Sequence, residues 1–194
     1  MSSLFDSIKN MATKKKKTIT KSDIKSKAPV ASTKLTSPPL DLPKILKDIE
    51  ISYRKKDFLL AKELASAALV VYPKSFDALH LYGLVAFQLG EINSAVEHIG
   101  RALLVDSKHA LAYFNLANIL RSQKRLVEAA DHYSKAIENK LEHAQVEYMF
   151  GVTLQELNRL EEALKHFTKA VQMQPDFMDA KNRQGLISQA LLKK

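Results

Sequence analysis

From Leu42 onward the apolar and small side chains recur at one fixed spacing, and that spacing predicts pairs of packed helices. Gly83, Ala117, Gly151 and Gly185 stand 34 residues apart. So do Ala61, Ala95, Ala129 and Ala163, and again Ala68, Ala102, Ala136 and Ala170. Large side chains hold the same period, with Ile99, Tyr133 and Phe167 in register. A small residue at such a place lets two helices approach closely, and the bulky residue beside it fills the adjacent hole. Pro73 and Pro175 occupy equivalent places, where a helix must stop. Each unit therefore reads as two helices of about 12–15 residues, given their usual lengths. Leu89-Gly90 and Leu157-Asn158 are the turn signals between them. One pair cannot cover its own apolar face, so neighbouring pairs stack and share a core.

The stretch before Leu42 has another character. Residues 13–41 are rich in Lys, Ser, Thr and Pro, with Pro29, Pro38 and Pro39, and offer almost no large apolar side chain to bury. They are expected to form a flexible linker. In residues 1–12, Leu4, Phe5, Ile8 and Met11 fall on one helical face, and Lys14, Lys15, Lys16 and Lys17 follow at once. That combination suits docking to an anionic membrane, to a partner, or to the chain's own array, the last leading to autoinhibition or self-association.

Composition narrows the chemistry. The chain has 194 residues, 46% of them apolar, with five Gly, six Pro and no Cys. The scarcity of turn residues disfavours an all-β fold, and the lack of Cys removes disulfides and thiolate metal sites. The net charge of +9 is mostly local: residues 1–44 hold ten Lys against three Asp, whereas residues 45–194 hold twenty basic and eighteen acidic side chains. With no Arg and almost no aromatic beside the Lys run, only weak, salt-sensitive attraction to nucleic acid is expected, and no specific recognition. No apolar run is long enough to span a bilayer, and the expected location is cytoplasmic, with peripheral membrane attachment as an option.

The 34-residue pattern resembles the tetratricopeptide-repeat (TPR) family, whose repeat carries a small residue at its eighth position and Ala at its twentieth and twenty-seventh. On that resemblance the fold is all-α, a right-handed solenoid over residues 42–194. Its repeats run 42–75, 76–109, 110–143 and 144–177, and a capping helix occupies 178–194. Repeat one departs from the pattern, with Ile49 at the eighth position. In the cap, Lys181 and Gln184 replace apolar residues and solvate the open end. The segments from Ala78 to Leu103 and from Ala112 to Ile137 are also similar to TPR arrays of bacterial glycosyltransferases and of O-linked N-acetylglucosamine transferase, without a catalytic domain.

The resemblance places a peptide-binding groove along the first helix of each repeat. The residues it implies are Tyr53, His80, Leu84, Phe87, Phe114, Asn115, Asn118, Arg121, Tyr148, Val152 and Gln155, an apolar trough with few charges. The carboxylate clamp of chaperone-binding TPRs is missing, because Leu46 and Glu50, or His80 and Leu84, stand where Lys and Asn are needed. Of the asparagine ladder of the transferase superhelix only Asn115 is present, against Leu81 and Met149. His98, His132 and His166 share one repeat position, but equivalent residues of stacked helices lie too far apart to share an ion, so no metal is expected. Glu128, Glu161 and Glu162 read as helix-start carboxylates. No nucleophile constellation or phosphate loop is present. The expectation is a non-enzymatic adaptor without a cofactor, binding a protein partner as peptide or helix. Its rivals are a scaffold recruited to a membrane or compartment surface, and the substrate-recognition partner of a separate transferase.

Overall fold

The computed structural model describes residues 41–193. The docking segment of Leu4, Phe5, Ile8, Met11 and Lys14 to Lys17, and nearly all of the 13–41 linker, lie outside the described residues. From Leu42 the chain runs through α1 (Leu42–Arg54), α2 (Phe58–Val71), α3 (Phe76–Gln88), α4 (Ile92–Val105) and α5 (Ala110–Ser122). It continues through α6 (Leu126–Glu138), α7 (Ala144–Glu156), α8 (Leu160–Met173) and α9 (Met178–Leu192). No strand occurs among the described residues. Odd-numbered helices are the first of each pair and even-numbered helices the second. Each helix packs on its chain neighbours, so the contacts advance along the stack.

Local chemistry repeats as faithfully as the packing. The second position past each first helix takes a left-handed backbone, at Lys56, Gly90, Lys124 and Asn158. The next residue's N–H then reaches back to a carbonyl near the helix end, as Asp57 to Ser52 and Glu91 to Ala86, both at 2.9 Å. Gly90 and Asn158 suit that backbone, whereas Lys56 and Lys124 adopt it because the flanking helices are fixed by their packing. Three of the first helices are capped by the residue before them. Ser75, His109 and His143 each accept a backbone N–H with their side chains.

The core is a series of close contacts between the eighth and twenty-fourth repeat positions. A Cβ on Gly83 would lie 2.5 Å from Ile99, and one on Gly151 would lie 2.9 Å from the Phe167 ring. Ala117 meets the same need beside Tyr133, and both are fully buried. In repeat one the sizes are exchanged: Ile49 is the large side chain and Ala65 the small one, both fully buried. Its departure from the repeat pattern is thus a compensated swap. At the far end, a Cβ on Gly185 would meet nothing within 4 Å. Ala180 and Ile187 of α9 are buried, while Gln184 donates to Thr168 Oγ1 at 2.9 Å and Lys181 is exposed.

Candidate functional site

Side chains that bridge successive first helices mark the face along which those helices meet. Gln88 donates to the Tyr53 hydroxyl at 3.2 Å, and Asn115 Nδ2 donates to His80 Nε2 at 3.0 Å. Arg121 donates to Glu156 at 3.0 Å, and Lys124 reaches the same carboxylate at 3.1 Å. Arg183 gives its Nε–H to the Tyr148 hydroxyl at 3.1 Å and an Nη1–H to Gln155 at 2.8 Å. Four of these bridges join residues 35 apart, one repeat plus one residue, so a rung of polar contacts recurs at each step of the stack.

The residues expected in the groove divide between this ladder and the core. Tyr53, His80, Asn115, Arg121, Tyr148 and Gln155 are rungs. Asn118 accepts the Tyr133 hydroxyl at 2.6 Å, and burial of that phenol pushes its pKa up to about 12. Val152 is buried, whereas Leu84, Phe87 and Phe114 are half-buried against the core. The face carries more charge than the apolar trough with few charges that the sequence suggests, through Lys124, Glu156 and Arg183. It alternates apolar patches with polar rungs, of which those at Arg121 and Arg183 are charged, and the sequence reading passed over Arg183 and Glu156. Arg183 was hidden because it belongs to α9, taken as a solvated cap. Its signal is the 35-residue offset from Tyr148.

His80 is only 8% exposed and packs beside Phe76, with His109 at 5.7 Å between ring centroids. Burial, and then the nearby His109, lower its pKa from 6.5 to about 4. Folding thus favours the neutral ring, so stability is full above the unfolded pKa and is lost as pH falls from about 6.5 towards 4. His80→Leu is expected to remove about 2 kcal/mol of the stability difference between pH 7 and pH 5. Urea unfolding of both proteins at the two pH values checks this, and parallel losses would contradict it.

The three equivalent histidines do not form one group. His98 stacks on Tyr82 with centroids 4.0 Å apart, and its Nδ1 lies 2.8 Å from the Ser94 carbonyl. His132 stacks on Tyr113, and His166 Nδ1 donates to Glu147 at 2.7 Å. All three are half-buried against the preceding helix, not placed on a plain helix surface. No cluster suited to a metal ion occurs among the described residues. Glu128 and Glu162 at the helix starts are held by Arg125 and Arg159 through paired hydrogen bonds of 2.6–2.7 Å.

Two family models described as Tetratricopeptide repeat match residues 83–140 and 144–177. The chain is a tetratricopeptide-repeat protein. The solved structure of MamA shares 22% identity with this TPR chain over 73% of it and 83% of MamA, with a TM-score of 0.69. That of pilF from Pseudomonas aeruginosa shares 21% over 78% and 69%, at 0.70. YrrB, a TPR protein with an unusual peptide-binding site, shares 24% over 75% of each chain, at 0.66. At these identities the likeness establishes the TPR solenoid. No curated protein matches the sequence. Among the described residues, no TPR helix is long and apolar enough to cross a membrane.

Proposed function

We propose that this TPR protein is a non-enzymatic adaptor that binds a peptide or amphipathic helix of a protein partner along the face formed by α1, α3, α5, α7 and α9. The observation that carries the reading is the ladder of bridges between successive first helices. It holds one continuous surface on which half-buried Leu84, Phe87 and Phe114 and exposed Leu111 offer apolar anchors between polar rungs. A rigid face of this kind loses little entropy on binding, and its anchors suit a ligand with apolar side chains at helical or alternate spacing. YrrB, with its peptide-binding site, is a precedent for such use of the fold.

The experiment is selection of displayed peptides on the full chain, followed by affinity measurement on Leu111→Glu. Leu111 is 46% exposed, so the charge is accommodated in the free protein. Affinity is expected to fall at least about tenfold with no change in thermal unfolding, because a carboxylate would be desolvated against an apolar anchor. Selected peptides that bind both proteins equally would place the ligand on another surface.

A further inference from the structure

Two histidines hold the start of α5, and both bonds need a neutral ring. His109, the residue before the helix, accepts the Ala112 backbone N–H on Nδ1 at 3.2 Å. His80 of α3 accepts the Asn115 side-chain amide on Nε2 at 3.0 Å. The ring centroids lie 5.7 Å apart, and Phe76 packs against both, at 4.2 Å from His109 and 5.6 Å from His80. A protonated imidazole has two N–H donors and no acceptor, so one proton on either ring removes its bond to α5. A proton on His109 also sets a positive charge at the start of a helix, where the macrodipole disfavours it.

The influences on the His80 ring are burial and then His109, and both oppose a proton there. The charged side chain of α3 is Asp77, exposed in its first turn, and that of α5 is Arg121, at its far end. In the connection from α4 to α5, Asp106 accepts the Lys108 backbone N–H at 3.0 Å, and Lys108 is exposed. Glu97 and Arg101 of α4 pair with each other. On α2, Lys62 pairs with Glu91 and Glu63 is exposed, and α1 brings exposed Lys44 and Lys47 with half-buried Asp48. Other steps of the stack lack the histidine pair among the described residues. The Ser75 hydroxyl caps α3, and Phe114 and Tyr148 stand where His80 does, so His143 caps α7 without a partner ring. Leu111, 46% exposed, lies in the turn that His109 caps.

We infer that His80 and His109 form an acid-sensitive latch between α3 and α5, in which proton uptake releases the first two turns of α5 and with them Leu111. The latch is closed at neutral pH and loosens as pH falls through the ordinary imidazole range, about 6.5. A ring freed from the joint binds protons with that ordinary affinity. For His80 alone, opening becomes about 20-fold more favourable between pH 7 and pH 5. An anchor on a released turn holds its ligand less firmly, a consequence that rests on the proposed adaptor function.

The test is amide hydrogen exchange on the full chain at pH 7 and pH 5, with each rate divided by its intrinsic value at that pH. In the wild type, protection from Ala112 to Asn115 is expected to be lower than in α6 and α8 at pH 7, and to fall at least about tenfold at pH 5. In His80→Gln/His109→Ser, whose acceptors take up no proton, it should change less than about threefold. His109→Ser alone keeps a cap of the kind Ser75 gives α3, and should recover at least about threefold of the loss. The same loss in the wild type and in these variants would overturn the inference. So would protection at the start of α5 equal to that of α6 and α8 at both pH values, because α5 would then open only with the whole array. Exchange is read on the free protein, so its outcome is independent of whether the first-helix face binds a peptide.

Discussion

Phe167→Ala is expected to destabilise the array by about 3–5 kcal/mol, the range for emptying a fully buried aromatic site. Gly151→Ile alone should cost about 1–3 kcal/mol, because its Cβ would fall 2.9 Å from the Phe167 ring, beyond what helix propensity recovers. The informative protein is the double variant. Placing Ile at 151 and Ala at 167 reproduces the arrangement of Ile49 against Ala65, so the two losses should partly cancel. A coupling of at least about 1.5 kcal/mol is expected, within the range for residues in contact. Urea unfolding of the four proteins gives the cycle, and additive losses would show that the two positions do not fill one common space. Gly185→Ile serves as the control. Its Cβ meets nothing, so stability should stay within about 0.5 kcal/mol of the wild type.

The second large effect concerns Glu147, a carboxylate with only 3% of its side chain exposed. His166 donates to one oxygen and Lys169 bonds the other. Burial pushes the carboxyl pKa up, but the hydrogen bonds from His166 and Lys169 outweigh it and hold the group below its ordinary value. Its ionised form therefore stabilises the fold above the unfolded carboxylate pKa, and that contribution is lost as pH falls through the folded one. Removing both partners, in His166→Ala/Lys169→Met, is expected to cost about 3–5 kcal/mol by leaving a buried charge unpaired. Glu147→Leu should be near neutral or stabilising by about 1 kcal/mol, as earlier repeats carry Ile45, Leu79 and Tyr113 there. It should also resist acid better than the wild type. If Glu147→Leu were the more damaging change, the triad would be a net source of stability.

These two sites also show why the fold was legible in the sequence and the face was not. Close helix contact demands a small residue opposite a large one at a set spacing, so Gly83 with Ile99 and Gly151 with Phe167 leave a periodic trace. Ile49 looked like an imperfection only because the trace was sought at one position; the compensating Ala65 restores the rule when the pair is considered together. The face is set by side-chain partners, which follow no residue type. Asn115 fits a ladder position, yet its amide is engaged by His80. Tyr148 and Gln155 looked like free ligands for a peptide, yet both hold Arg183. Glu147 passed unnoticed because a carboxylate in the first turn of a helix normally faces water, and only its position within the repeat shows that it is enclosed.

The exchanged sizes in repeat one have a consequence for how the chain finds its native pairing. Near-identical helix pairs invite wrong partners, either within a chain or by exchange between two chains. Here α1 brings Ile49 to the contact, so against α4, α6 or α8 it would force two bulky side chains into one space. In turn α2 brings Ala65, which would leave a void against Gly83, Ala117 or Gly151. Repeat one is therefore keyed to itself, and the stack has a first member that no later one can replace.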